Sequence, residues 1–307
     1  MFRLLASFYL VIALAAGGAT READSRVRVP LWTDGPAPIE AAHLEVQVDG
    51  RPAPILALHG PEDPLLLLVV FDLVADLNEA DLARDGLLAA LREAGPNVFV
   101  GVLRAQDGLQ VLLDPTNDRD AIAQAVLSFP VSGRPGLLET LETMSRLADA
   151  ILEKSGVRIA VYYITDSNIY SYREDFTNPV INWSDSGDLS RRFPEGLVRD
   201  RISKLAAKLS ATQTPLFITH VEYRSDRLNE AYQNGLMQIA SLTGGQATFC
   251  RSNAEIQPAI ASMMRTILSH HGLDLKVPAK AADNVAIKIE SQNGSVTHRT
   301  RMRIKRK

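Results

Sequence analysis

The chain has 307 residues, 46% of them hydrophobic and 22% charged, with a formal net charge of −3. That composition suits a globular protein with one large core or two modest ones, and excludes a disordered or disulfide-stapled chain. The charge gives no reason to expect a nucleic-acid partner, and the single cysteine, Cys250, excludes an internal disulfide.

Arg3, the apolar stretch 4–16 and the small residues Gly17, Gly18 and Ala19 have the layout of an export signal, with cleavage expected after Ala19. The expected location is therefore secreted or periplasmic. The apolar stretch is short for a membrane span, and an uncleaved anchor is the alternative. Residues 20–62 are expected to form an arm and a β-hairpin. Residues 26–29 suit a short strand, residues 43–48 alternate, Asp49-Gly50 marks a turn, and residues 52–58 return.

Residues 63–270 alternate between strands and helices. Apolar runs at 65–72 and 157–165 have no polar alternation, as strands buried on both faces require. Shorter strands are expected at 97–104, 109–113, 215–221 and 247–250. Helices are expected at 77–94, 118–127, 137–152, 197–209, 228–242 and 256–268, with Gly244 closing the fifth. This order implies an α/β fold, a doubly wound and mainly parallel sheet with helices on both faces. A polar, aromatic stretch of about thirty residues at 166–196 lacks periodicity, and loops of that length are usually functional or mobile. Residues 271–307 return to β structure, with strands at 273–277, 285–289 and 296–304. The N- and C-terminal β segments are expected to pair into one small side sheet. The last ten residues carry Arg299, Arg301, Arg303, Lys305, Arg306 and Lys307 and no acid. This suits a solvated edge strand guarded by charge, or contact with an anionic envelope surface.

Both long apolar runs end in an acid, Asp72 and Asp166. Open α/β sheets place their binding crevices at that edge, so two acids distant in sequence meet there and are able to share a cation. The plainer reading is strand-end acids bonded to loop amides. His270-His271 suits a helix C-terminus, where the macrodipole favours a cation. His220 ends a strand beside the crevice and reads either as a strand-end polar group or as a base without a nucleophile. Cys250 reads as a buried, inert thiol. Asp185, Asp188 and Glu195 lack the ligand alternation of a calcium loop. The phosphate-loop, nucleophile-elbow and zinc-helix motifs are absent from the sequence.

The order of these parts resembles the von Willebrand factor type A family, most nearly its bacterial exported, acidobacterial-type branch. The segments that carry the resemblance are the hairpin at Asp49-Gly50, the strand ending at Asp72, residues 133–141, the strand ending at Asp166, and the Ala240-Ser241-Leu242-Thr243-Gly244-Gly245 ending. The resemblance implies a metal-ion-dependent adhesion site. Its first loop is Asp-x-Ser-x-Ser, its second supplies a threonine and its third an aspartate, all hard oxygen ligands suited to Mg²⁺. Asp72 and Asp166 match the two aspartates. Val74 and Asp76 stand at the serine positions and Pro135 at the threonine position, so the site is degenerate. Asp72, Asp76 and Asp166 are the candidate ligands for Mg²⁺ or Ca²⁺, and Asp76 reads equally as the cap of the following helix.

The function implied is a non-catalytic extracytoplasmic module that binds a protein partner at the carboxyl-end face of the sheet. Tyr170, Tyr172, Trp183 and Pro135 are the candidate contacts, since exposed aromatic side chains on a loop rim commonly anchor partners; an aromatic cluster packed within the loop itself is the rival reading of the tyrosines and tryptophan. The signal anchor or the basic tail would provide any envelope association. The alternatives are an exported divalent-metal hydrolase and an envelope scaffold with a degenerate face.

Overall fold

The computed structural model describes residues 25–33, 39–172, 194–278 and 281–304. Its centre is a six-stranded sheet built from β5 (Leu65–Asp72), β6 (Val98–Arg104), β7 (Gln110–Thr116), β8 (Arg158–Thr165), β9 (Leu216–His220) and β10 (Ala247–Phe249). The spatial order is β10-β9-β8-β5-β6-β7, all parallel except β7, which runs antiparallel to β6 at one edge. Every residue of β5 and of β8 is buried, which explains their unbroken apolar sequence.

Side-chain parity divides the core into two layers. Leu66, Leu68, Val70, Ile159, Val161 and Tyr163 face α3 (Leu137–Ser155), α4 (Pro194–Leu209) and α5 (Arg227–Thr243). Leu65, Leu67, Val69, Phe71, Ala160 and Tyr162 face α1 (Leu77–Arg92), α2 (Arg119–Ser128) and α6 (Asn253–Ser269). Removing a side chain from either layer, as in Leu67→Ala, costs about 2–5 kcal/mol. Local chemistry sets the helix ends. The side chains of Asp76, Asp118 and Asp226 cap α1, α2 and α5, and left-handed Gly156 and Gly244 close α3 and α5. Thus the N-termini of α1, α3 and α5 lie at the carboxyl edge of the parallel strands, whereas α2, which follows antiparallel β7, starts at the other edge.

The flanking β segments do pair with one another, but as two four-stranded sheets rather than one. The first has the order β13-β1-β11-β4, from β1 (Ser25–Thr33), β4 (Ile55–His59), β11 (His271–Val277) and β13 (Val296–His298). The second has the order β14-β12-β2-β3, from β2 (Leu44–Val48), β3 (Arg51–Pro52), β12 (Asn284–Ser291) and β14 (Arg301–Arg303). Both contribute to one apolar cluster that includes Val29, Leu31, Val46, Ile287 and Leu273. Two expected strands are divided between these sheets. After Asp49-Gly50 only Arg51 and Pro52 pair back onto β2. The chain then crosses at Pro54, which has no N–H to donate, and β4 joins the other sheet on β11. The expected strand at 296–304 breaks at Arg299, which leaves the ladder to donate to Ser210 O and Thr212 O. Arg299 is buried, so its share of the basic tail is a structural tie and not a solvated edge. Arg301 and Arg303 are exposed, while residues 305–307 lie outside the described part.

Candidate binding face at the carboxyl end of the sheet

Asp72 is the last residue of β5, and its even register turns it toward the layer that holds α3. That helix begins Pro135-Gly136-Leu137, and its N-cap, Gly136, has no side chain with which to cap. Asp72 caps it from the neighbouring strand. Its Oδ1 accepts from Gly136 N at 2.9 Å, and its Oδ2 accepts from Leu137 N at 3.1 Å and from Thr165 Oγ1 at 3.3 Å. Two otherwise unpaired N–H groups and the positive end of the helix are thereby satisfied. Glycine is required at 136, because a Cβ there would stand 1.9 Å from Ala105 O. The same loop is held from the other side, where Arg134 N donates to Asp107 Oδ1 and Asp107 N to Arg134 O.

Asp166 performs the corresponding task for the first loop. Its Oδ1 accepts from Val74 N at 2.9 Å, and its Oδ2 accepts from Val74 N at 2.9 Å and Ala75 N at 2.7 Å. Both carboxylates have no exposed surface at all. Burial pushes the Asp72 carboxyl up to about 7 against the pull of the Gly136 amide, with the Asp166 charge adding to the rise. Burial also raises Asp166, and the amides of Ala75 and Val74 oppose it.

A chain of buried hydroxyls backs Asp72. Thr165 Oγ1 lies 2.8 Å from Ser167 Oγ, which lies 3.1 Å from the Tyr232 hydroxyl. Sequence reasoning missed Thr165, Ser167 and Tyr232. The adjacency of Thr165 to Asp166 at a strand end was the only available signal, and nothing in α5 marks Tyr232.

The other candidates separate clearly. Asp76 is exposed and caps α1, its Oδ1 accepting from Asn78 N at 2.7 Å and Glu79 N at 3.2 Å. That oxygen is thus engaged by the helix it caps. Pro135 is half-buried in the loop ahead of α3. Tyr170 is 42% exposed, and its hydroxyl donates to Asp226 at 2.9 Å. Tyr172, expected on the rim, is instead a core residue at 6% exposure. The short 3-10 turn Ile169–Tyr172 folds it inward against Tyr232, where its hydroxyl accepts from Leu138 N. Trp183 lies outside the described residues, as do Asp185 and Asp188.

Two histidine expectations also resolve. His220 is buried, with Nε2 donating to Ser167 O at 2.6 Å and Nδ1 accepting from Glu222 N at 3.3 Å. Burial lowers it to about 4, so it is a neutral structural group with both nitrogens engaged. His270 does end α6, but not as a cation facing the macrodipole. Its Nδ1 donates to Ile267 O at 2.7 Å, and burial lowers it to about 3. Cys250 is buried, and its thiol is pushed up to about 12.

The donor set does not fit the adhesion-site cation. Val74 and Pro135 have no side-chain oxygen, Asp76 is occupied as a cap, and every carboxylate oxygen of Asp72 and Asp166 already accepts from an N–H or O–H. An adhesion cation also needs an open coordination position, and neither aspartate reaches solvent. Among the described residues, no group of three or more His, Cys, Asp or Glu side chains is arranged to hold a metal.

No protein-family profile matches the chain, and no curated protein matches it in sequence. Solved structures similar to it include a von Willebrand factor type A protein from Catenulispora acidiphila, 8% identical, covering 87% of this chain and 74% of that one with a TM-score of 0.49. The von Willebrand factor domain of the type V pili tip protein Mfa5 from Porphyromonas gingivalis is 12% identical, covering 69% and 96% with a TM-score of 0.43. Proximal thread matrix protein 1 of the mussel byssus, with a zinc-occupied adhesion motif, is 13% identical, covering 72% and 49% with a TM-score of 0.45. The sheet itself is doubly wound and mainly parallel, closed by one antiparallel edge strand and with Asp72 and Asp166 at its carboxyl edge, which is the architecture that the resemblance to the von Willebrand factor type A family implied.

Proposed function

We propose that this protein is a non-catalytic protein-binding module that meets its partner at the carboxyl-end face of the sheet. The observation that carries this reading is the contrast between backbone and side chains there. The loop after β5 and the loop ahead of α3 are fixed from beneath by buried Asp166 and Asp72, and on the same face Leu77 and Tyr170 are 66% and 42% exposed to solvent. Rigid loops that display apolar and aromatic side chains lose little entropy on binding. His220 does not serve the hydrolase alternative as a base, since it uses both ring nitrogens structurally.

The test is affinity capture with purified protein and a face variant, Leu77→Ser combined with Tyr170→Ala. Capture of a defined partner, lost in that variant and retained in Leu56→Ser on the side sheets, supports the proposal. Equal capture by all three places the contact elsewhere. The extracytoplasmic location is also proposed, on the strength of Arg3 and the apolar stretch 4–16. A reporter active only after export, fused behind residue 30, checks it. An inactive reporter contradicts it.

A further inference from the structure

We infer that the adhesion-site position of this domain is a cation-independent clamp, in which the Asp72 and Asp166 carboxylates hold the loops directly by backbone N–H groups and no divalent ion completes the face. This goes beyond the binding proposal and does not depend on a partner being found.

Two observations support it, and a third describes the charge that remains on the face. The first is stoichiometric. Four loop amides, Val74, Ala75, Gly136 and Leu137, converge on two carboxylates, and each of the four carboxylate oxygens takes at least one. A cation organises such loops by gathering oxygens from each of them. Here amides bring the loops to the same two acids with the opposite polarity, so the bridging task is already performed.

The second is steric and chemical. Three of the five ligand positions carry Val74, Asp76 and Pro135. Two of these have no side-chain oxygen, and the third caps α1. The backbone around them is fixed by contacts that leave no slack, because Gly136 packs against Ala105 O and Asp107 pins Arg134.

The third is the placement of positive charge. The acids left over on this face are Glu79 and Glu222, with Glu79 Oε2 buried and without a hydrogen-bond partner. Arg224 stands beside them, its Nη2 2.6 Å from one Glu222 oxygen and 2.7 Å from the other. Its backbone is locked by Gln233, which accepts from Arg224 N at 3.1 Å and donates to Arg224 O at 2.8 Å. A fixed guanidinium thus supplies positive charge beside the leftover acids. Glu79 is nevertheless raised to about 7, by burial first and then by Glu222, Asp76 and Asp166, with Arg224 opposing.

The experiment uses the full chain after treatment with EDTA. Mg²⁺, Ca²⁺, Mn²⁺ and Zn²⁺ are titrated in turn to millimolar concentration, with heat and Tm recorded for wild type, Asp72→Ala, Asp166→Asn and Glu79→Gln. The expected result is no saturable heat and no rise in Tm for wild type. The folded Asp72 and Asp166 variants should melt lower than wild type by the same amount in EDTA and in Mg²⁺, and Glu79→Gln should melt at the same temperature with and without the ion. A saturable heat, or a Tm several degrees higher with one ion, overturns the inference for wild type, whichever variants fold. Abolition of that heat by Asp72→Ala or Asp166→Asn would assign the ion to the conventional position. Abolition by Glu79→Gln alone would assign it to a rearranged one. Failure of partner capture, by contrast, counts only against the binding proposal.

Discussion

Asp72 and Asp166 at one end of the central sheet, and Arg158, Arg28 and Arg299 at the other, solve opposite problems with opposite charges. At the carboxyl edge, helix N-termini and loop amides leave unpaired N–H groups, and buried Asp72 and Asp166 accept them. At the amino edge, helix C-termini leave unpaired carbonyls, and buried arginines donate to them. Arg158, 1% exposed, gives Nη1 to Leu268 O and His270 O behind α6, and Nη2 to Pro61 O and Asp63 O. Arg28 gives Nη1 to Gly156 O and Val157 O behind α3 while its Nε and Nη2 pair with Asp274. Arg299 does the same for Ser210 O and Thr212 O behind α4. The lesson is that a buried charge here is first a device for satisfying helix ends. At the amino edge the device fastens the side sheets to the α/β body. At the carboxyl edge it fastens the loops that the proposed function assigns to a partner.

The comparison breaks most readily at the amino edge. Arg158→Met should remove four carbonyl contacts without replacing them and cost about 3–5 kcal/mol, measured by urea unfolding. A loss below about 1 kcal/mol would show that those carbonyls are satisfied in another way. Asp72→Ala should cost less, about 2 kcal/mol, because the two lost amide bonds are partly offset by removing an acid from a buried site.

The pH dependence sharpens the same point. A carboxyl raised in the folded state to about 7 binds a proton that the unfolded chain has already released. Its contribution therefore falls as pH rises from about 4 to 7. His220 and His270, lowered by burial, give the opposite slope below their usual value of 6.5, so wild-type stability alone would blur the effect. The difference between wild type and Asp72→Asn isolates it. Their stability gap should narrow from pH 4 to above 7, and a constant gap would contradict the raised Asp72. Asp76→Ala should cost about 1 kcal/mol as a lost helix cap, with no change in metal response. The smallest effect belongs to Tyr170→Phe, which removes one exposed hydrogen bond to Asp226 and should stay within about 0.5 kcal/mol.

The central sheet was legible because burial on both faces forces the continuous apolar composition seen in β5 and β8. The same runs placed Asp72 and Asp166 at one edge. Their partners were not legible, because they are backbone amides and carry no sequence signature beyond Gly136 ahead of α3. The side sheets were only half legible. Alternation and turn signals marked residues 43–48, 52–58 and 296–304 as β, yet they cannot reveal where a strand changes sheet, and two strands changed, at Pro54 and at Arg299. Tyr172 was misassigned because an aromatic residue in a polar stretch looks exposed until a turn folds it inward. The buried arginines escaped for a related reason, since their acceptors are carbonyls distant in sequence.

The most direct test of the clamp is amide hydrogen exchange at Val74, Ala75, Gly136 and Leu137, followed by NMR in EDTA. Protection of all four, lost at Gly136 and Leu137 in Asp72→Ala and at Val74 and Ala75 in Asp166→Ala, is the predicted result. Exchange at unprotected rates in EDTA that becomes slow on adding Mg²⁺ would show that a cation, and not the carboxylate–amide bonds, holds the face together.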